Sequence, residues 1–263
     1  MMKIFDSHAH YYDGRFFEEG VDTDALLSRL FSSDVGKIIN VATNNINAVF
    51  AINMARRYKN MYTAIGIHPS DINKDADIDE ELDALRSFLI NPANKAVALG
   101  EIGLDYHFEP YDEKLQRIYF DRQLTMSEEL GLPAVVHVRD SHGDSFDVIK
   151  GHKNAFGVIH SYSGSLETAK EYIKRGWYIS FSGTVTFKKA RKVADVASSL
   201  PHDRVLVETD APYLAPHPNR GKINHSGYLV YTIGKIAELW NTEPDEVAEI
   251  TYNNAMRLFS IKE

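Results

Sequence analysis

The chain has no cysteine among its 263 residues. Disulfide bonds and thiolate-held metals are therefore excluded, and any metal centre must be built from His, Asp or Glu. Positive charge is scarce as well: 29 Lys and Arg stand against 37 Asp and Glu, a formal net charge of -8. An acidic total argues against a protein that coats nucleic acid through bulk positive charge. Nucleic-acid enzymes stay open, because bound cations can supply positive charge locally. Long apolar runs are also missing. No stretch approaches the ~18 residues of a membrane span, and Met1-Met2-Lys3-Ile4-Phe5-Asp6 lacks the roughly 7–15-residue apolar core of a signal peptide. A cytoplasmic protein with no membrane partner is expected. No Gly-x-Gly-x-x-Gly turn follows the first apolar run, which counts against an open dinucleotide-binding sheet. No linker rich in Pro, Gly or Ser interrupts the chain. With 44% hydrophobic and 25% charged residues, 1–263 reads as one globular domain with a large core.

Apolar strand-like runs alternate with helical stretches. Strands are expected over 4–9, 37–43, 62–67, 96–102, 133–138, 157–160, 177–181 and 204–209. Helices are expected over 46–58, 79–89, 114–130, 166–175, 188–200, 228–240 and 244–259. Leu115, Ile118, Phe120 and Leu124 read as the core face of the third of these. Strands alternating with helices imply a parallel sheet, and eight such units imply a closed (β/α)8 TIM barrel.

The strand ends carry the chemistry. His8 and His10 close the first strand; two apart, they share one face, about 7 Å apart at the backbone. One histidine rarely holds a metal alone, so the pair reads as half of a divalent metal site. Glu101, His137, His160 and Asp210 stand at the ends of four other strands. In a barrel such ends converge on one face, where active sites lie. Converging carboxylates and imidazoles need a cation to avoid unpaired buried charge. One catalytic zinc typically takes about three protein ligands. Six suit two ions with Glu101 bridging, roughly 3.5–4 Å apart, a pair that can clamp a phosphoryl oxygen and activate water. Mg, Mn and Zn are all candidates, and imidazole suits Zn, Mn or Ni better than Mg.

Asp6-Ser7-His8-Ala9-His10, Gly66-Ile67-His68-Pro69, Gly100-Glu101-Ile102-Gly103-Leu104-Asp105-Tyr106 and Glu208-Thr209-Asp210-Ala211-Pro212-Tyr213-Leu214 resemble the signature blocks of the TatD family. Ser180-Phe181-Ser182-Gly183 and Arg220-Gly221-Lys222 are also similar, and the blocks fall in the family's order. The resemblance implies a metal-dependent hydrolase barrel and a deoxyribonuclease, often a 3′–5′ exonuclease, with DNA or RNA as substrate and no obligate protein partner. It implies that His8, His10, Glu101 and Asp210 hold one metal and that Glu101, His137 and His160 hold the other. Asp210 would be the base for the attacking water, and Glu101 and Asp210 the catalytic carboxylates. One block departs: where the family usually reads Asn-Glu-Pro, this chain has Asn224-His225-Ser226, so the polar or substrate-facing contact of that loop is not carried over.

Further residues have two readings each. His68 is expected to touch substrate rather than merely pack. Arg139 could grip a phosphate bidentately or join a loop salt bridge. Glu208 shares the parity of Asp210 and is expected to face the barrel axis near the substrate, where it orients a metal-bound group or forms a salt bridge. Asp105 and Tyr106 are expected to shape the mouth. The basic run Phe187-Lys188-Lys189-Ala190-Arg191-Lys192 is a solvated helix face or a track for a nucleic-acid backbone. Two rival functions stand beside the nuclease. A metal-dependent amidohydrolase or esterase acting on a small molecule or aminoacyl ester would use the same ions, and would favour a neutral, closed pocket. A non-catalytic metal-stabilised scaffold would need a closed coordination shell.

Overall fold

The computed structural model describes residues 3–262. Eight parallel strands follow one another in chain order: β1 Ile4–Ala9, β2 Val35–Ala42, β3 Met61–Ile65, β4 Ala96–Asp105, β5 Ala134–Arg139, β6 Gly157–Ile159, β7 Tyr178–Phe181 and β8 Val205–Val207. The ring nearly closes where β8 returns to β1. Ser7 donates its hydroxyl to Val207 O (2.9 Å), Asp210 N–H binds His8 O (2.9 Å), and His10 N–H binds Ala211 O (2.7 Å). This is the TIM barrel that the alternating pattern implies.

Around it lie α1 Gly14–Glu18, α2 Thr23–Phe31, α3 Asn45–Arg57, α4 Ile78–Ile90, α5 Glu113–Leu130, α6 His142–Gly151, α7 Leu166–Lys174, α8 Arg191–Ser199, α9 Leu229–Trp240 and α10 Pro244–Leu258. Local chemistry starts and stops them. The side chains of Asp22, Asn44, Asp112 and Ser165 accept backbone N–H groups at the starts of α2, α3, α5 and α7. Gly131 ends α5 in the left-handed conformation.

The sequence reading leaves out α1, α2 and α6. In α2 the spacing of Leu26, Leu27 and Leu30, all buried, carries a helical stripe. In α6 only Ser145 and Ile149 are buried, too little to show a period. The helix expected from 188 starts at Arg191, leaving Lys188 and Lys189 in the turn before it. Ile118 is exposed, against its expected place in the α5 core, while Phe120 and Leu124 are fully buried.

Alternation along the strands splits the apolar residues into two layers. Ile4, Ile65, Leu99, Val136, Ile159, Ile179 and Val207 face the helices. Phe5, Ile39, Val41, Ala64, Ala98, Val135, Val158, Tyr178 and Leu206 fill the barrel interior and meet α10. Two residues beyond this floor the interior turns polar, at His137, His160, Ser180 and Glu208. On β1 and β4 the parity must change first, because Phe5 and Ala98 face inward while His8 and Glu101 have the opposite parity. The strand register slips between Asp6 and Ala9 on β1 and between Gly100 and Ile102 on β4. One extra residue there re-aims the side chains that follow.

β4 runs to Asp105, three residues beyond its expected end, so Glu101, Gly103 and Asp105 share its inward face. β8 stops at Val207, two residues early, and Asp210 adopts a left-handed backbone (φ 59°) that extended structure cannot include. Gly103 has φ 140°, and a Cβ there would lie 2.0 Å from His137 O. Gly103→Ala should therefore cost about 3 kcal/mol or more, from strain and overpacking together. That lowers the thermal midpoint by roughly 10 °C, and differential scanning calorimetry against wild type checks it.

Candidate metal centre

Six of the residues singled out from sequence meet at the C-terminal end of the barrel, in two groups on either side of Glu101. Glu101 Oε2 lies 3.3 Å from His8 Nε2 and 3.7 Å from His10 Nε2. Asp210 Oδ1 completes this group at 3.3 Å from His10 Nε2 and 3.7 Å from His8 Nε2. Glu101 Oε1 faces the other way, 2.9 Å from His137 Nδ1 and 2.7 Å from His160 Nε2. His8, His10 and Glu101 form one cluster that could hold a metal ion, and Glu101, His137 and His160 another.

The outer hydrogen bonds decide which ring nitrogens carry protons. His10 Nδ1 lies 2.7 Å from Val41 O, a pure acceptor, so Nδ1 donates, and Nε2 is the nitrogen that carries the lone pair whenever the ring is neutral. Asp105 Oδ2 takes the His137 Nε2–H at 3.0 Å. Glu208 Oε1 takes the His160 Nδ1–H at 3.2 Å. With both rings neutral, His137 Nδ1 and His160 Nε2 are both lone pairs, 3.0 Å apart, facing a carboxylate oxygen. Three acceptors at that separation repel one another unless a cation or a proton lies among them. The donor set fits a divalent metal ion, and the carboxylate behind each of these two rings is the usual support for a metal-ligating histidine.

The electrostatics agree. Burial alone would neutralise Glu101, yet His160, His68 and His8 hold its carboxyl well below the usual range. Burial also opposes charge on His160, but Glu101 and Glu208 push its pKa well above normal. His10 is lifted to about 9 by Asp210 and then Glu101, against its own burial. His8 goes the other way: burial and neighbouring His160 lower it, and its Nδ1 has no partner.

His68 belongs to the rim of this cluster. His68, Asp105 and His137 could also hold an ion by proximity. However, His68 Nδ1 accepts the backbone N–H of Ser70 at 3.1 Å. The neutral ring then carries its proton on Nε2, 3.6 Å from Glu101 Oε1, and that nitrogen has no lone pair for a metal. Burial lowers its pKa to about 3, so the ring stays neutral. What it offers is one N–H aimed into the site.

Glu208 needs correction. It is buried behind His160, and its second oxygen takes the Ser180 hydroxyl. Both oxygens are taken by protein donors, so Glu208 stands where the orienting and the salt-bridge readings put it and away from the substrate. Arg139 makes no ion pair among the described residues; its guanidinium packs 4.7 Å from the centre of the Phe108 ring, at the mouth.

Sequence reasoning missed Asp6. Its buried carboxylate accepts Thr209 N–H (3.0 Å), the Thr209 hydroxyl (2.6 Å) and the Ser226 hydroxyl (2.7 Å), tying β1 to the segment that carries Asp210. No parity signal marks it, because the register slips between Asp6 and Ala9. The loop that departs from the family turns inward. Asn224 donates to Thr209 O and Tyr213 O, and Ser226 reaches Asp6, where proline would have no hydroxyl.

The sequence matches the TatD related DNase family over residues 5–260. It is 37% identical over 260 residues to the uncharacterized metal-dependent hydrolase YabD of Bacillus subtilis, covering 98% of this chain and 99% of that one. It is 35% identical over 263 residues to the uncharacterized metal-dependent hydrolase YcfH of Escherichia coli K12, covering 99% and 97%. Among solved structures it is similar to YjjV, a TatD homolog from Escherichia coli K12, with a TM-score of 0.90, 31% identity and 98% coverage of each chain.

Two outcomes follow for the metal-free protein. Below about pH 9 a cation must displace the His10 proton, so affinity for Zn or Mn should rise as pH climbs towards 9, with proton release on binding. Isothermal titration in buffers of different ionisation enthalpy reads that release. Glu208→Gln should weaken metal affinity about 10–100-fold by loosening His160, measured by competition with a chelating dye.

Proposed function

The chain belongs to the TatD-related DNase family and is a metal-dependent hydrolase, and we propose that it cleaves phosphodiester bonds at the ends of DNA strands as a 3′–5′ exonuclease. In this reading His8, His10, Glu101 and Asp210 hold one divalent ion. Glu101, His137 and His160 hold a second. Such ions would supply Lewis-acid charge neutralisation at a phosphoryl oxygen and acidify water. The protein's own part is positioning. Asp105 and Glu208 orient His137 and His160. His68 points its Nε2–H at the site, where it can donate to a substrate oxygen. Asp210, a carboxylate at the open side of the centre with its Oδ1 towards His10, takes the proton of the attacking water. Residues 1–263 act as one domain in the cytoplasm, where DNA is the substrate.

The observation that carries the nucleic-acid reading is the charge of the mouth. The molecule is acidic overall, yet Lys188 and Lys189 in the turn after β7, Arg191 and Lys192 at the start of α8 and Arg220 after β8 form no ion pair among the described residues. Arg220 stacks 4.2 Å from the centre of the Phe187 ring, which keeps the guanidinium at this rim. A polyanion is the ligand such a rim attracts. The small-molecule amidohydrolase or esterase reading would favour a neutral surround.

The test is an assay on end-labelled single and double strands with Mg, Mn and Zn in turn. Progressive shortening from the 3′ end is expected, and Asp210→Asn should slow it by roughly 10²–10⁴-fold. A metal-loaded wild type that never shortens DNA would overturn the reading. Lys188→Glu with Lys189→Glu should weaken single-strand binding and flatten its log–log salt slope by about 1.4.

A further inference from the structure

A cavity of about 290 Å³ lies beside the metal centre, walled by the turn after β3 and the loop from β4 to α5. Its inner wall is part of the support of that centre. Asp105, which holds His137, lines it, and so does Ser70, whose N–H fixes the His68 ring. Its outer wall has a different chemistry: the rings of Phe108 and Tyr111 with the carboxylates Glu109 and Asp112 beside them, and Lys74 on the β3 side. Phe108 is 62% exposed and Tyr111 37%. The Tyr111 ring lies parallel to Tyr106, 4.9 Å between centres, which fixes its plane. Arg139 covers the Phe108 ring from β5. Lys74 has no ion pair among the described residues.

One exposed aromatic needs no explanation. Two of them held by neighbours, facing a cavity next to the proposed phosphodiester-cleaving site, form a stacking platform for a flat ligand, with Lys74 as the cation on its β3 side. Position sharpens this. β3–β4 and β7–β8 stand four strands apart in a ring of eight, on opposite sides of the mouth. A strand held by the basic rim at β7–β8 and crossing the centre would bring its end to this cavity.

We propose that the cavity receives the terminal nucleobase of the strand being shortened, stacked on Phe108 and Tyr111, with Lys74 near a phosphate. This rests on the phosphodiesterase reading above and adds to it the reason for end selection. A base in the middle of a duplex must lose its pair and two stacking neighbours to turn aside into the cavity, whereas a terminal base has one stacking neighbour to lose and, in a single strand, no pair. Stacking accepts any of the four bases, so the site reads an end rather than a sequence.

The test uses the metal-loaded enzyme, a normal single strand and the same strand ending in a 3′ abasic sugar. Wild type should show a KM about tenfold higher for the abasic strand, with kcat within twofold. Phe108→Ala, on an exposed side chain, should raise KM for the normal strand to that level and leave the abasic strand unchanged; Tyr111→Leu should act in the same direction. Equal KM for the two strands in wild type overturns the subsite. If wild type cleaves neither strand with any metal, the phosphodiesterase reading fails by itself. The cavity is then judged by titrating dAMP into the chelated protein. Binding that is lost in Phe108→Ala supports it, and no binding to wild type overturns it.

Discussion

Everything at the working end of this barrel is arranged around the two oxygens of Glu101. One faces His8 and His10, the other His137 and His160. A buried carboxylate has to be surrounded by positive charge or protons. Four imidazoles from three other strands supply that surround only because a metal ion or protons can lie among them. The same requirement orders the shell outside. Asp105 and Glu208 take the outward N–H of two rings, and Val41 O takes that of a third, so the lone pairs are left pointing in. Removing the central carboxylate would leave these rings facing one another with nothing between them.

The barrel makes this arrangement possible through a two-layer interior. Apolar residues from all eight strands form a floor, and the next inward positions hold the polar centre above it. Two strands cannot reach that pattern by simple alternation. Register slips on β1 and β4 correct the parity at the residues where His8 and Glu101 must turn inward. Gly103 lets β4 pass close to the His137 carbonyl while its neighbours hold the inward face. Asp6, joined to Thr209 and Ser226, locks β1 to the segment after β8 and so sets Asp210 against His10.

Around the mouth, charge and aromatic surface are divided by side. The segments after β7 and β8 carry lysines and arginines without an ion pair among the described residues, in a protein whose total charge is negative. The loop after β4 carries exposed aromatic rings beside a cavity that the turn after β3 closes on the other side. A backbone of negative charge and a flat base are the two halves of one nucleotide chain. The two sides of the rim therefore match the two parts of a strand lying across the centre.

Much of this was legible in the sequence. Strand β1 falls at its expected bounds, the eight βα units follow from hydrophobic period, and the six clustered residues stand out because His, Glu and Asp recur at strand ends. These are local signals, carried by neighbours in the chain. Helix α6 was invisible because it buries too few residues to show a period, and the helix expected from 188 begins three residues later. The rest belongs to the tertiary structure. Glu208 was expected at the substrate and lies behind His160, because parity says that a side chain faces inward but not at what depth. His68 looks like a ligand by type and position, yet a backbone N–H from Ser70 puts its proton on the nitrogen that faces the site. The slips that bring His8 and Glu101 together come from pairing between strands, and the cavity at Phe108 exists only where two loops meet. Sequence determined which groups are present and on which strands; distances between strands, and the partners that fix each proton, came only with the closed ring.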